Sequence, residues 1–419
     1  MFSKRIEAFL YDVYDGLPGN VRTCVSPVVP AYFVLREVLS TGSPLRLSAY
    51  LLQGREKWKG DPLTTLFWGD ERGVIYLSNL LYSKEIMKER LNTVFIWNSR
   101  SRLNLDMRRA DLIFIKIDHL FSRFLSRQGF LMIPELILFI GDISKPLPEI
   151  LNLPMNKSMR ENLREIRRHN YSFEMTKEPG KFEYFYYQMY LPYVTKRYKE
   201  LAFVTAFRDM ERAFKKGQLL LIRKGSDYVA GNILTVDQDT VLSVSLGIKD
   251  GEIRHLREGA LIACNYFTIL WAKEKGYRWL DLGHSIPFFK DGLFSYKKSL
   301  GMGIKRSPRV RTVFGMKICN FHRGVQNFLE KNPFIFIAQE KPMALIVIDQ
   351  NHPLTLEEVQ LLARTYAIPG LHRLVILSDQ GFTQETEEFG RSNQNVHLIS
   401  KKPEVFFESF QQIYLEKRV

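Results

Sequence analysis

Four basic residues in the middle of the chain are spaced as on one face of a helix. Lys157, Arg160, Arg164 and Arg168 follow one another at intervals of three, four and four residues, within a stretch of helical periodicity over residues 156–169. Residues at these intervals lie above one another on a helix. The row has the geometry to bind a string of phosphates, and an ordinary solvated face is the alternative interpretation.

A second place for phosphate chemistry is the start of an apolar helix predicted over residues 258–275. Glu258, Gly259 and Ala260 open this helix. The first backbone N–H groups of a helix have no partner within it, and the helix dipole is positive at this end. The helix start can therefore offer donors to a phosphate or pyrophosphate group.

Several familiar catalytic and cofactor motifs are missing. The chain has no GxxxxGK[ST] phosphate loop, no HExxH, no GxSxG and no GxGxxG that opens a helix. The cysteines Cys24, Cys264 and Cys319 are odd in number and far apart, so we expect neither a disulfide framework nor a zinc site. No other cluster of metal ligands is visible, and we expect no metal.

The charge balance is strongly basic, with 60 Lys and Arg against 45 Asp and Glu and a formal net charge of +15. Such a charge favours polyanionic partners, among them tRNA, nucleotide phosphates and anionic lipid surfaces. The amino-terminal residues lack the apolar core of a signal peptide, and no apolar run reaches the roughly 20 residues of a membrane-spanning helix. We therefore expect a cytoplasmic protein without a transmembrane segment. No pattern indicates an oligomeric state.

The elements that must position these groups form an ordered set in the middle third of the chain. The periodicities predict a helix, a strand, two helices, three strands joined by short turns, a buried helix and a further strand, at residues 156–169, 171–175, 182–198, 206–216, 218–223, 228–235, 240–247, 258–275 and 278–282. Met159, Leu163 and Ile166 are the expected buried stripe of the first helix. The mixture predicts an α/β or α+β fold class.

The flanking thirds show mixed patterns as well. Short apolar runs, at residues 74–77, 94–97 and 112–117, alternate with helical stretches. A longer apolar run covers residues 130–140, and we expect it to form buried strands. After residue 307, strands and helices alternate at residues 344–348, 356–366, 374–377, 396–399 and 403–414. We therefore expect three units, at residues 1–150, 151–307 and 308–419, of which the last is a small α/β unit.

Three segments resemble the FemAB-like family of the GNAT, or N-acetyltransferase, superfamily. Residues 257–283 contain a helix that ends in a glycine and then a strand of aromatic, acidic and glycine character, and residues 291–301 end in an aromatic-Lys-x-x-x-Gly motif. Residues 156–164 are similar to the basic helix start of the family. The order of elements in the middle third also matches the GNAT fold. The resemblance implies a mixed sheet flanked by helices, in two GNAT-like halves, the first of them degenerate and shaping the acceptor site.

The resemblance also implies roles for individual residues in acyl transfer, which passes through a tetrahedral oxyanion. Lys297 matches the lysine of the tail motif and would stabilise the developing charge or a donor phosphate, with Tyr296 packed against the acyl end of the donor. Asp281 lies where the splayed strands of GNAT folds open and would orient the nucleophile or accept its proton, and His284 is a second candidate base. A surface lysine, a structural carboxylate and a structural histidine are the alternatives.

The donor and the acceptor stay open at this stage. GNAT proteins that use acetyl-CoA carry a loop that would need a small residue where Leu261 stands, so an acyl-CoA, another acyl thioester or an aminoacyl-tRNA are all candidate donors. The preferred expectation is transfer to an amine or hydroxyl of a cell-envelope or small-molecule precursor. An aminoacyl-tRNA-dependent transferase of the peptidoglycan-bridge type and an inactive scaffold that binds nucleic acid or a protein partner are the alternatives.

Overall fold

Two β-sheets flanked by helices organise the protein, which confirms the predicted mixed α/β class. The computed structural model describes residues 46–95, 109–153, 156–199, 202, 204–307 and 310–414. The strands are β1 (Arg46–Glu56), β2 (Pro62–Gly69), β3 (Tyr82–Phe95), β4 (Leu112–Asp118), β5 (Leu131–Pro134), β6 (Ile137–Asp142), β7 (Tyr171–Thr176), β8 (Gln218–Lys224), β9 (Asp227–Asp237), β10 (Thr240–Ile248), β11 (Trp279–Ser285), β12 (Gly303–Arg306), β13 (Thr312–Ile318), β14 (Phe334–Ala338), β15 (Lys341–Ile348), β16 (Arg373–Ser378) and β17 (Val396–Ser400).

The helices lie between these strands and cover both sheets. They are α1 (Glu71–Leu81), α2 (Ser122–Ser126), α3 (Leu147–Ile150), α4 (Lys157–Arg168), α5 (Pro179–Tyr184), α6 (Leu191–Tyr198), α7 (Phe207–Lys216), α8 (Ile253–Arg257), α9 (Ala260–Glu274), α10 (Gly292–Ser299), α11 (Arg323–Lys331), α12 (Leu356–Tyr366), α13 (Gln384–Ser392) and α14 (Pro403–Tyr414). A π-helical turn, Phe185–Tyr190, joins α5 to α6. Within the described ranges, no helix is long and apolar enough to cross a membrane.

The smaller sheet has seven strands in the order β12-β6-β11-β10-β9-β8-β7. The predicted meander is confirmed, because β8, β9 and β10 pair antiparallel in succession. In this sheet only β10 and β11 run parallel among the described strands. Helix α9 is buried on nearly every side, as its uniformly apolar sequence predicts. It ends at Glu274, and Gly276, two residues later, has a φ of +79° that favours glycine.

The larger sheet has ten strands in the order β17-β16-β15-β14-β5-β13-β4-β2-β1-β3. The run at residues 130–140 forms the buried strands β5 and β6, as predicted. The short apolar run at residues 74–77, which the sequence pattern sets apart from the helical stretches, lies instead within helix α1. Four apolar residues cannot distinguish a helix from a strand, and the capping residue decides it, since Asp70 accepts the Gly73 N–H at 2.7 Å. The run at residues 94–97 lies partly outside the described residues.

Strand pairing crosses the unit boundaries that we predict from sequence. Strand β6 precedes residue 150, yet it pairs with β11 and β12 of the smaller sheet. The strands after residue 307 continue the sheet of the amino-terminal third, and β15, β16 and β17 extend it as a parallel edge. These strands therefore form no separate sheet, because the partners that satisfy their backbone groups come from distant parts of the chain.

Candidate active site

The parallel strands β10 and β11 part from each other early. Their pairs run from Thr240 with Trp279 to Leu242 with Asp281, whereas the strands themselves continue to Ile248 and Ser285. Strand β11 is irregular at the point where the two strands part. Gly283 has a φ of +71°, and its N–H donates to Asp281 Oδ1 at 2.6 Å. The two strands thus diverge next to the Asp281 carboxylate and open one end of the smaller sheet.

Helix α10 places a buried lysine beside this opening. The helix begins at Asp291, whose Oδ1 accepts the N–H groups of Leu293 and Phe294, each at 2.9 Å. Phe294 and Lys297 are three residues apart and both face inward, with Lys297 only 6% exposed. The Lys297 ammonium donates to the carbonyl oxygen of His284 at 2.8 Å and lies 5.8 Å from the centre of the Phe139 ring.

Burial changes the ionisation of this lysine. The loss of solvent lowers the pKa of Lys297 to about 8, although the carboxylates of Asp281 and Asp291 act in the opposite direction. Near neutral pH the side chain therefore exists in both protonation states. It can stabilise negative charge as a cation, and a neutral fraction is available to accept a proton.

The three sequence-predicted catalytic residues come together here. Asp281 and His284 lie on the irregular part of β11. Lys297, on α10, donates a hydrogen bond to the backbone carbonyl of His284 and interacts electrostatically with Asp281. The His284 ring already has a hydrogen-bond partner, because its Nε2 lies 2.7 Å from the buried Ser307 hydroxyl. Asp281 and Lys297 are consequently the pair with charge at the parting of the strands.

Tyr296 connects this region to the start of the buried helix. Its hydroxyl donates to the Leu261 carbonyl at 3.1 Å and accepts from the Asn265 side chain. Burial raises the pKa of Tyr296, so that its hydroxyl stays protonated. Asn265 is 1% exposed, and its Oδ1 has no hydrogen-bond partner among the described residues. Sequence reasoning missed Asn265, whose signal is a polar residue inside an otherwise apolar helix.

The predicted phosphate-binding residues lie at the start of α9. Gly259 has a φ of +83° and precedes Ala260, the first helical residue, which is fully buried. The Glu258 carboxylate is neutralised by Lys224 at 2.8 Å and by Arg254 at 3.1 Å. These hydrogen bonds lower the pKa of Glu258 to about 2. Two cations, Lys224 and Arg254, thus lie at the helix start and pair with the Glu258 carboxylate.

The basic row lies close to this helix start. Lys157, Arg160, Arg164 and Arg168 are exposed on α4, while Met159 and Ile166 face the core as the sequence predicts. A Cβ at Gly259 would lie 4.0 Å from the Cβ of Glu165, so α4 passes beside the first turn of α9. Two acidic residues of α4 pair with the row, as Glu161 lies 3.9 Å from Lys157 and Glu165 lies 3.4 Å from Arg168.

The amino-terminal third contributes groups that the sequence did not reveal. Burial and the nearby charges of Asp291 and Glu135 raise the pKa of Tyr76, which places the α1 tyrosine near the start of α10. Lys116 joins Glu135 at 2.8 Å and Asp70 at 3.0 Å. No sequence signal links Tyr76 to Asp291, because the two residues come near each other only in the folded chain.

The part of the chain that the structure describes contains no candidate metal site. Within it, no three His, Cys, Asp or Glu residues are grouped so that they could hold a metal ion. Cys264 is buried as a free thiol, and Cys319 is a half-buried one.

No protein-family model and no curated protein matches the chain. Solved structures that it is similar to include FemX, at 13% identity over 63% of this chain and 83% of that one, with a TM-score of 0.34. L-PGS from Bacillus licheniformis matches at 12% identity over 66% and 83%, with a TM-score of 0.33. A GCN5-related N-acetyltransferase from Sphaerobacter thermophilus matches at 12% identity over 62% and 74%, with a TM-score of 0.26.

Proposed function

We propose that this protein is an acyl-group transferase whose donor carbonyl lies where β10 and β11 part. The observation that carries the proposal is the buried Lys297 at this parting, held beside the Asp281 carboxylate by its bond to the His284 carbonyl. A buried amine with a pKa close to neutrality and an adjacent carboxylate match the demands of acyl transfer. The acceptor that we propose is an amine or hydroxyl of a cell-envelope or small-molecule precursor.

The chemistry follows from the two side chains. The acceptor nitrogen or oxygen attacks the carbonyl carbon of an acyl thioester, and the carbonyl oxygen takes up the negative charge, which the Lys297 cation stabilises. Asp281 accepts the proton that the nucleophile loses. The carbon–sulfur bond then breaks as the carbonyl re-forms, and the thiolate leaves and takes up a proton. The products are the acylated acceptor and the free thiol.

The rest of the donor has a place along the start of α9. The backbone N–H groups of a helix start and the cations Lys224 and Arg254 suit the phosphates of an acyl-CoA. Tyr296 ties α10 to this first turn, so the phosphate end and the acyl end of the donor would be held in a fixed relation. Cys264 and Cys319 are free thiols among the described residues, and the location that we propose is therefore the reducing cytoplasm.

The test compares acyl transfer in three proteins. Wild type is incubated with a panel of acyl-CoA thioesters and amine or hydroxyl acceptors, beside Lys297→Met and the control Lys305→Met, which removes an exposed lysine from the next strand. Lys297→Met should lower kcat by about 10²- to 10³-fold, as the loss of an oxyanion donor does. Equal rates in wild type and Lys297→Met, or no transfer by wild type from any donor, would rule the proposal out.

A second candidate is an aminoacyl-tRNA-dependent transferase of the peptidoglycan-bridge type. The observation that favours it is the exposed row Lys157, Arg160, Arg164 and Arg168, which has the length and the sign to follow a nucleic-acid backbone. Charged tRNA should then bind with a steep dependence on salt, and replacing Arg164 and Arg168 by Gln should reduce that salt dependence. Binding of tRNA without transfer to any acceptor would favour the inactive scaffold.

A further inference from the structure

The carboxyl-terminal region contacts α10, the helix that carries Lys297. Lys298, the next residue of α10, donates its ammonium hydrogen to the Thr365 carbonyl in the last turn of α12. The same ammonium lies 5.7 Å from the centre of the Phe289 ring. Phe289 in turn meets Tyr366 edge to face, with ring centres 5.2 Å apart. Lys298 is therefore held between an aromatic ring and the negative end of a helix dipole.

A second contact lies just beyond α10. The Ile304 N–H of β12 donates to the Pro369 carbonyl at 2.8 Å. Gly370 has a φ of +87°, and a Cβ there would lie 2.0 Å from the Ile304 carbonyl oxygen. The loop after α12 thus packs directly on the backbone of β12, with space for glycine alone at this position. We name residues 365–370 the α12 clamp.

Helix α10 needs such support from outside. It has eight residues, Gly292–Ser299, and a helix of two turns is not stable on its own. Asp291 fixes its beginning through the two N–H groups that it accepts. Near its end, the Asn156 side chain donates to the Ser299 carbonyl at 2.7 Å. The α12 clamp is the contact that holds the residue next to Lys297.

We propose that the α12 clamp positions Lys297, so that the carboxyl-terminal region completes the active site of the transferase by fixing α10 from behind. Lys298 is a positioning residue in this arrangement and takes no part in the chemistry. The catalytic consequence rests on the proposed acyl transfer, whereas the positioning itself does not. The inference gives the region after residue 307 a role that no sequence motif indicates.

The expected effects follow from the position of the Lys298 contact, which lies next to Lys297 in α10. Without the Lys298 bond, α10 keeps its contacts at Asp291, Tyr296 and Ser299 but loses the one from the α12 clamp. We then expect water to gain access to the Lys297 ammonium. Displacement of a catalytic group by about 1 Å costs about 100-fold in rate. We therefore expect Lys298→Met to lower kcat by about 10- to 100-fold and to change KM by less than about twofold, because the donor contacts at the start of α9 are untouched.

The experiment measures the titration of Lys297 directly and does not need activity. Trace acetylation with acetic anhydride over a pH series, followed by mass spectrometry of the peptide that carries Lys297, gives the apparent pKa of its amine. Wild type is compared with Lys298→Met, with Lys298→Arg, which keeps a donor, and with Lys305→Met as the control. Gly370→Ala disturbs the second contact without touching Lys298. Transfer kinetics are measured on the same proteins.

Support for the inference is an apparent pKa of Lys297 near 8 in wild type, in Lys298→Arg and in Lys305→Met, and a rise of a unit or more, a tenfold change in proton affinity, in Lys298→Met and Gly370→Ala. An unchanged pKa in Lys298→Met overturns it, and so does a Lys298→Arg variant that behaves like Lys298→Met. A wild type that titrates as expected but transfers no acyl group leaves the positioning intact and refutes the proposed function.

Discussion

The buried charge of Lys297 makes the stability of the protein depend on pH in a direction that can be measured. The ordinary pKa of a lysine is 10.5, and burial lowers that of Lys297 to about 8. Well below pH 8 the amine is protonated in both the folded and the unfolded protein, and the folded protein carries the full free-energy cost of a buried cation. Between pH 8 and 10.5 the unfolded chain binds more protons than the folded one, so stability rises with pH.

The size of this effect follows from the two pKa values. At 1.36 kcal/mol for each tenfold change in proton affinity, the cost below pH 8 is about 3 kcal/mol, and about 2.5 kcal/mol of it is relieved between pH 7 and pH 10. Lys297→Met has no titrating group here. It also leaves the His284 carbonyl without its donor, at a cost of about 1–3 kcal/mol, but that cost is the same at both pH values.

The assay is urea unfolding of wild type and Lys297→Met at pH 7 and pH 10. The free energy of unfolding of the variant, relative to wild type, should fall by about 2.5 kcal/mol from the lower to the higher pH. Lys305→Met, which removes an exposed lysine, should show no such change. A constant difference between wild type and Lys297→Met would mean that Lys297 titrates at its ordinary value and is not a reactive buried amine.

Three further predictions test separate parts of the structure. Glu258→Gln removes the carboxylate that offsets two cations at the start of α9, so an acyl-CoA should bind up to about fivefold more tightly by calorimetry; weaker binding would place the donor phosphates elsewhere. Gly370→Ala should lower the free energy of unfolding by about 2 kcal/mol or more, because a Cβ there would collide with a β12 carbonyl. Gly276→Ala, with a φ of +79° and open space around it, should cost only about 1 kcal/mol, and equal losses in the two variants would contradict the clamp. Asn327→Ala removes an amide that donates to the buried Glu56 carboxylate at 3.0 Å and to the Asp61 carboxylate at 2.8 Å. Chemical unfolding should show a free energy of unfolding lower by about 1–3 kcal/mol. An unchanged free energy would mean that the turn after β1 is stable without α11.

The local elements were open to prediction wherever the signal lies within a few residues. The spacing of Met159 and Ile166 defines the buried face of α4, and the turns around Gly225 and Gln238 separate the strands of the meander. Helix α9 follows from an apolar run that ends in a glycine. Periodicity and capping are local properties, which is why these predictions are confirmed. The roles assigned to Lys297, Asp281 and the start of α9 remain predictions.

The sequence by itself determined the mixed α/β class, the order of elements in the middle third and the positions on those elements of the candidate catalytic and phosphate-binding residues. Tertiary structure decided which strands pair. It placed β6 between β11 and β12, and it joined the strands after residue 307 to the sheet of the amino-terminal third. It also brought Lys298 to Thr365, 67 residues away. These contacts depend on backbone groups and packed surfaces that meet only in the folded chain, and a local pattern of residue types does not encode the partner of a strand or of a side chain.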